Sequence, residues 1–232
     1  MIPTLNESGT IGAIIESLDK LRVLYQIRII IVDDGSTDGT IETVRESSIK
    51  YGNLTLIERD RKLGLGYAIR TGLRAALGLE PIPDFIVTMD ADLSHDPNEL
   101  PKLVKACGKD AMVVGSRYVK GGEIHGWDLY RKTMSQGANF IARALTGVPV
   151  RDCSSGFRCY GSDLMSGLLP GLQSIGYDLQ IEILSKAARR GFKMTEKPIT
   201  FRNRASGESK LRYGDMLNFV KRVFTLFRET SE

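Results

Sequence analysis

Two closely spaced aspartates follow a short apolar segment and are the clearest candidates for metal chemistry in this sequence. Asp90 and Asp92 come directly after residues 85–89, and only Ala91 separates them. Alternate side chains of an extended backbone point the same way, so both carboxylates lean to one side. Hard cations such as Mg²⁺ bind one or two carboxylates together with phosphate oxygens. The pair therefore suits Mg²⁺ or Mn²⁺ with a diphosphate, although an isolated Asp-x-Asp is more often a pair of loop-capping residues.

A second acidic motif follows another apolar segment, residues 27–32. Asp33 and Asp34 are adjacent there, and the glycines at positions 35 and 39 permit a tight turn. Adjacent carboxylates at such a turn suit a nucleotide base, ribose hydroxyls or metal-bound water, and we expect Asp34 to face a ligand. Asp38 directly precedes a helical pattern, so we expect it to cap that helix instead.

The composition favours one globular domain. The chain has 232 residues, of which 42% are hydrophobic and 26% charged, enough for an α/β domain with a sizeable core. No apolar run approaches the ~20 residues of a membrane-spanning helix, so we expect a cytoplasmic location. Cys107, Cys153 and Cys159 form no metal-ligand cluster and are expected to be free thiols. The net charge of +4 is mild, and no nucleic-acid recognition module accompanies the basic residues between 202 and 222.

Short apolar runs alternate with helical patterns along the first half of the chain. The apolar runs lack polar alternation, as strands buried on both faces do, and they cover residues 27–32, 54–57, 85–89 and 111–114. The helical patterns cover residues 10–21, 40–50, 66–77 and 98–107. This repeat predicts an α/β fold with a mainly parallel, Rossmann-like sheet that binds ligands at the carboxyl ends of its strands.

The second half departs from this repeat. Helical patterns cover residues 129–145 and 177–190, and a short strand is expected at 156–160. Residues 214–228 carry a wide apolar stripe beside basic side chains. No internal repeat or linker divides the chain, so we expect residues 1–232 to form a single domain.

The start of the chain departs from the predicted architecture. If Pro3 follows a first strand, nearly all of that strand is missing from the sequence. Loss of a central strand would expose hydrogen-bonding edges and apolar surface, at a cost that rivals the ~5–15 kcal/mol stability of a whole domain. We therefore expect nearly all of the first strand to be missing and the sheet to be weakened there, as would follow from a misplaced start or a trimmed fragment.

In combination, the motifs resemble those of family 2 glycosyltransferases. The segment from Pro3 to Glu7, then Asp34, then Asp90 to Asp92 occur in the order of that family's motifs. Within the family, the chain resembles dolichyl-phosphate (polyprenyl-phosphate) mannosyltransferases, in a form without transmembrane segments. The similar segments are residues 62–66, 90–95, 126–129, 137–140 and 207–211, which span nearly the whole chain. Leu5 departs from the pattern, where tyrosine is frequent, and this weakens the expected contact with a base.

The resemblance implies a fold, a reaction and a set of site residues. The fold is a GT-A type nucleotide-diphospho-sugar transferase fold, with residues 1–117 holding the nucleotide sugar and 118–232 the acceptor. The reaction is transfer of mannose from GDP-mannose to dolichyl phosphate, with inversion and with Mg²⁺ or Mn²⁺. The implied donor-binding residues are Pro3, Leu5, Glu7, Val32, Asp34, Asp90, Ala91, Asp92, Arg117, Arg204 and Lys210. The implied metal ligands are Asp90, Asp92 and Ser94, and the implied catalytic residues are Asp92, Arg117 and Arg131, the last near the lipid phosphate.

The sequence offers no constellation for a general base. His95 and His125 are its two histidines, and we expect His95 to cap the loop before Pro97. A phosphate monoester needs no base, because its second pKa near ~6 makes it an anionic nucleophile at neutral pH. Gly207 and Ser209 predict a flexible loop that carries Lys210 and closes on the donor.

A polyprenyl acceptor stays in the bilayer, so we expect docking at the cytoplasmic face of a membrane. The candidate surfaces are the helical patterns 129–145 and 214–228, with ordinary core packing as the alternative, and small membrane subunits could cover the second. Two other functions fit the same residues. One is a polyprenyl-phosphate glycosyltransferase for another sugar, such as glucose. The other is a noncatalytic nucleotide-sugar-binding subunit, suggested by the absent first strand, which predicts binding without turnover.

Overall fold

The computed structural model describes residues 1–203 and 221–225, and within these ranges it is an α/β structure. The strands, in chain order, are β1 (Ile2–Thr4), β2 (Ile29–Asp33), β3 (Leu54–Glu58), β4 (Phe85–Thr88), β5 (Ala111–Ser116), β6 (Glu123–His125), β7 (Arg158–Gly161), β8 (Lys193–Pro198) and β9 (Thr200–Arg202). The helices are α1 (Ser8–Lys20), α2 (Thr40–Tyr51), α3 (Leu65–Leu77), α4 (Leu100–Ala106), α5 (Leu129–Thr146), α6 (Ser162–Leu168) and α7 (Leu179–Arg189).

The strands form two larger groups and one small pair. β1, β2 and β3 are parallel neighbours in that order. The second group has the order β4-β7-β5-β8, in which β7 is antiparallel to both of its neighbours and β5 is parallel to β8. Met1 connects the two groups, since its amino group donates to the Val87 carbonyl and its carbonyl accepts from the Met89 N–H. β6 and β9 form a separate parallel pair.

The core explains why the central strands are apolar on both faces. Every residue of β2 and β5 is buried. Along β2, Ile30 and Val32 belong to a cluster with α3, α6 and α7, whereas Ile29 and Ile31 belong to a cluster with α1 and α4. Because successive side chains of a strand point to opposite faces, each strand supplies both layers. The sheet is therefore sandwiched between two helical layers, as the sequence predicted.

The strands and helices of the predicted α/β repeat are all present, with ends shifted by at most two residues. The expectation that the first strand is missing is wrong. Residues Ile2–Thr4 themselves form a strand beside β2, with Pro3 opposite Val32. The predicted strand at 156–160 is present as β7, but in an antiparallel position between β4 and β5, so strands from both halves of the chain share one sheet. The elements α6, β8 and the β6–β9 pair were not predicted from the sequence.

The described part of the predicted C-terminal stripe is short. Residues 221–225 are helical, and Val223 is buried in the cluster around α7. The remainder of the 214–228 stripe lies outside the described residues, as does the predicted loop around Lys210.

Candidate functional site

A cavity of ≈ 320 Å³ lies at the carboxyl ends of β1, β2 and β4. This is the edge of a parallel sheet where ligands bind in α/β folds. The cavity is lined by Pro3, Thr4, Leu5, Glu7, Asp34, Lys62, Gly64, Leu65, Ala68, Asp90, Ala91, Asp92, Gly176 and Tyr177. It thus brings together seven of the donor-binding residues that the resemblance implied.

The two aspartates after β4 are held by hydrogen bonds to their backbone. The Thr10 hydroxyl donates to the Ala91 carbonyl at 2.6 Å, and the Asp90 N–H donates to Nδ1 of His95 at 3.1 Å. Asp92 is buried and accepts from the Ser94 N–H at 3.0 Å, whereas the Asp90 side chain is 39% exposed. The backbone then turns through Leu93 at a φ of 61°, a strained conformation for a residue other than glycine. Both carboxylates therefore lie on one short, hydrogen-bonded turn.

His95 supports this turn from behind. It is buried and stacks on Phe157 with ring centroids 5.1 Å apart. Burial lowers its pKa, so the imidazole is neutral and Nδ1 can accept the hydrogen bond from Asp90. The expectation that His95 caps the loop before Pro97 is wrong, because Asp96 fills that role by accepting from the Asn98 N–H at 2.9 Å.

The charges around the cavity bear on whether a metal fits. Glu7, Asp34, Asp90 and Asp92 face it, opposed by Lys62. An acidic cavity repels a nucleotide diphosphate unless a cation intervenes. Within the described residues no three His, Cys, Asp or Glu side chains form a ligand cluster. Asp90 and Asp92 would thus leave most coordination positions to phosphate oxygens and water, which is how Mg²⁺ is commonly bound.

Asp34 lines the cavity and also organises the loop beside it. Its carboxylate accepts from the N–H groups of Leu63 and Gly64 at 2.8 and 3.0 Å, and it forms a buried ion pair with Arg59 at 2.9 Å. These contacts order the loop that presents Lys62. Asp34 therefore shapes one wall of the cavity, in addition to the expected ligand-facing position.

Side chains join the loops that follow β1 and β2. The Ser8 N–H donates to Asp38, which also accepts from the Thr40 N–H and hydroxyl at the start of α2. Partial burial opposes ionisation of Asp38, but these hydrogen bonds outweigh it and lower its pKa to about 2. The capping role expected of Asp38 is confirmed, although Gly39 is the residue at the N-cap position itself.

Arg117 lies in a buried ion pair instead of the cavity lining. Its Nε and Nη2 donate to Asp152 at 2.8 and 2.7 Å, and Nη2 also donates to the Ser154 hydroxyl. The Trp127 ring centroid is 5.4 Å from the Arg117 guanidinium and 4.1 Å from that of Arg131. The structure thus places Arg117 and Arg131 in contact with one indole ring.

The remaining implied residues are distributed as follows. The Val32 side chain is in the core below the cavity. Ser94 is buried next to Asp92, and its hydroxyl has no hydrogen-bond partner within the described part of the chain. Arg204 and Lys210 lie outside the described residues.

The cavity also contains residues to which sequence reasoning gave no role. Lys62, Gly64 and Leu65 belong to the 62–66 motif, so the resemblance pointed to their segment. Gly176 and Tyr177 carried no signal, because more than a hundred residues of sequence separate them from the 62–66 motif that they meet at the cavity. They belong to residues 173–177, here called the strap, which crosses the N-terminus of α3.

The outer face of α5 is apolar and exposed. Leu129 is 80% and Phe140 69% exposed, and Tyr130, Met134 and Ile141 are exposed along the same helix. In the described residues, no helix is both long enough and apolar enough to span a bilayer.

Comparison with known proteins gives the family. The family model described as glycosyl transferase family 2 matches residues 1–168. Three curated relatives are each 36% identical to the chain. Dolichol-phosphate mannosyltransferase from Pyrococcus furiosus aligns with 100% of this chain and 64% of its own length. Undecaprenyl-phosphate mannosyltransferase from Micrococcus luteus aligns with 92% of this chain and 87% of its own. Polyprenol monophosphomannose synthase from Mycolicibacterium smegmatis aligns with 91% of this chain and 79% of its own length.

Solved structures agree on the fold. Glucosyl-3-phosphoglycerate synthase from Mycobacterium tuberculosis, in complex with Mn²⁺, UDP-glucose and phosphoglyceric acid, superposes with a TM-score of 0.72 at 22% identity, covering 98% of this chain and 78% of that one. This likeness confirms the expected GT-A fold. With the family model matched over most of the chain and three relatives aligned along 91% of it or more, the protein belongs to glycosyl transferase family 2.

Proposed function

We propose that this protein transfers mannose from GDP-mannose to a polyprenyl phosphate such as dolichyl phosphate, with inversion and with Mg²⁺ or Mn²⁺. The observation that carries the proposal is the pair Asp90 and Asp92 in a cavity of ≈ 320 Å³ at the carboxyl edge of the sheet. That volume is within the ~300–1,000 Å³ typical of small-molecule sites. The names of the three relatives at 36% identity support mannose as the sugar and a polyprenyl phosphate as the acceptor.

The donor is assigned to the two sides of the cavity. Pro3, Leu5, Glu7 and Asp34 line the side proposed to hold guanosine, whereas Val32 is packed in the core. Asp90, Ala91, Asp92 and Lys62 line the side proposed to hold the diphosphate. Arg204 and Lys210 remain predicted phosphate-binding residues.

A bound divalent cation would offset the charge that develops on the leaving diphosphate. Asp90 and Asp92 are proposed to hold it, with the hydroxyl of Ser94 as a further oxygen ligand. Arg117 is fixed by Asp152 and is close enough to Asp90 for their charges to interact. Its proposed contribution is a preorganised positive charge near the reacting groups.

The acceptor supplies its own nucleophile in this mechanism. His95 is buried with Nδ1 occupied by Asp90, and His125 is exposed beside Glu123, so neither is placed to remove a proton in the cavity. An anionic phosphate needs no such help. Arg131 is proposed to hold that phosphate in line with the sugar, and attack opposite the diphosphate inverts the anomeric carbon.

The exposed face of α5 is proposed to meet the membrane that contains the acceptor, at its cytoplasmic surface. Leu129, Tyr130 and Phe140 would enter the interface, and Lys132 would meet anionic headgroups. Small membrane subunits remain a proposed alternative means of attachment.

Transfer of labelled mannose from GDP-mannose to dolichyl phosphate in detergent, with Mn²⁺ or Mg²⁺, tests the proposal. We expect Asp92→Asn to lower the rate by at least ~10²-fold, because charge stabilisation at the leaving group is lost. Asp84→Asn is the matched control, since Asp84 directly precedes β4 at the opposite end of the strand and pairs with Lys109 on the surface.

Each other result contradicts a defined part of the proposal. Transfer from UDP-glucose but not from GDP-mannose would contradict mannose as the transferred sugar. Binding of GDP-mannose without turnover by the folded protein would point to a noncatalytic subunit.

A further inference from the structure

The strap forms one wall of the cavity, and it is tightly apposed to the start of α3. Gly176 and Tyr177 line the cavity, and the Ile175 carbonyl accepts from the Tyr67 N–H at 3.2 Å. A Cβ at Gly66 would lie 2.6 Å from the carbonyl oxygen of Gly176, closer than real Cβ contacts. The strap is therefore packed directly against residues 64–67, with no space between the two backbones for a side chain.

One buried carboxylate holds the strap in place. Glu182 on α7 is completely buried, and it accepts from the N–H groups of Gln173 and Ser174 at 3.0 and 2.7 Å. Lys186 donates to the same carboxylate at 2.7 Å and Arg222 at 2.9 Å. Burial opposes ionisation, but the hydrogen bonds from Lys186, Ser174 and Gln173 lower the pKa of Glu182 to about 2, so it is charged at neutral pH.

Arg222 brings a distant part of the chain into this contact. It belongs to the helical segment 221–225, whose Val223 is packed in the core beside α7. The carboxylate of Glu182 is thus the shared partner of the C-terminal segment and of the strap.

We propose that Glu182 is a positioning residue for donor binding, which holds the strap against residues 62–67 and makes the shape of the cavity depend on the docking of segment 221–225 through Arg222. Glu182 does not line the cavity, so it acts through the strap. The inference rests on the proposed function in one respect, that this cavity holds the nucleotide sugar.

The test compares Glu182→Gln with Glu16→Gln, which removes the acid of another i,i+4 pair with lysine, on the exposed face of α1. Hydrogen–deuterium exchange is measured for peptides covering 62–67 and 173–177. We expect about tenfold faster exchange in both peptides of Glu182→Gln, and a KM for GDP-mannose raised about tenfold with kcat little changed, because one charged hydrogen-bond acceptor is lost. Glu16→Gln is expected to match the wild type.

A second variant, Arg222→Met, keeps the proposal testable if Glu182→Gln does not fold. Arg222→Met keeps the hydrogen bonds that Glu182 accepts from the strap and from Lys186, and it is expected to raise exchange and KM as Glu182→Gln does, but by less. Unchanged exchange at 62–67 in the folded variants, or faster exchange with an unchanged KM, would overturn the proposal. If the wild type transfers no mannose, the proposed function fails. Hydrogen–deuterium exchange at residues 62–67 then still decides whether Glu182 positions the strap and the adjoining wall of the cavity.

Discussion

Removing one partner of the buried ion pair between Arg117 and Asp152 is expected to destabilise this domain strongly. Asp152 is completely buried and accepts from the Arg117 N–H, Nε and Nη2 at 3.0, 2.8 and 2.7 Å. Burial opposes ionisation of Asp152, but the adjacent guanidinium outweighs it and lowers the pKa of the carboxyl. Both groups are therefore charged in the folded protein at neutral pH.

Asp152→Asn preserves the shape of the side chain and removes its charge, so the Arg117 guanidinium stays buried without a counter-ion. Breaking a buried pair in this way costs ~3–5 kcal/mol, a large share of the ~5–15 kcal/mol that stabilises a typical domain. Urea unfolding followed by circular dichroism measures the change, provided that the denaturant slope stays constant.

An exposed ion pair provides the control. Arg45 and Glu58 are 59% and 40% exposed, and Glu58→Gln is expected to cost less than ~1 kcal/mol. We also expect the double variant of Arg117→Met with Asp152→Asn to be more stable than Asp152→Asn alone, because the unpaired charge is gone. A cost for Asp152→Asn no larger than that for Glu58→Gln would refute the reasoning.

Three further changes test other parts of the structure. Gly66→Ala should lower the free energy of unfolding by ~1–3 kcal/mol and weaken GDP binding, because its Cβ would clash with the Gly176 carbonyl. Gly137→Ala has open space around it on α5 and should raise the free energy of unfolding by up to ~1 kcal/mol. Chemical denaturation measures the stability of both variants, and calorimetric titration measures their GDP binding. The depressed pKa of Glu182, about 2, contributes stability that is present above its unfolded pKa of ~4 and is lost as pH falls through ~2; the melting temperature should fall over that range, and less steeply in Glu182→Gln. Phe140→Ser should weaken sedimentation with anionic vesicles about tenfold at an unchanged melting temperature, since burial of one Phe side chain is worth ~1.5–3 kcal/mol.

The order of elements and the acidic pair could be predicted from local sequence. Apolar runs without alternation indicated β2 and β5, which are buried on both faces, and helical periodicity indicated α1 to α3. Asp90 and Asp92 are adjacent to a strand end, so their position in the cavity followed from chain geometry and from the family's order of motifs.

Tertiary structure decides which residues pair with the charged side chains. It also decides where segments late in the chain lie. A sequence shows that Arg117 is a cation, but only the fold shows that its partner is Asp152, thirty-five positions later, in place of a phosphate in the cavity lining. The strap reaches the cavity because it packs against the start of α3, a contact between distant segments that leaves no local pattern. The sequence by itself therefore determined the α/β repeat and the acidic pair, because both arise from neighbours along the chain. The tertiary structure decided which charges are paired internally and which segments close the cavity, because those depend on contacts between residues far apart in sequence.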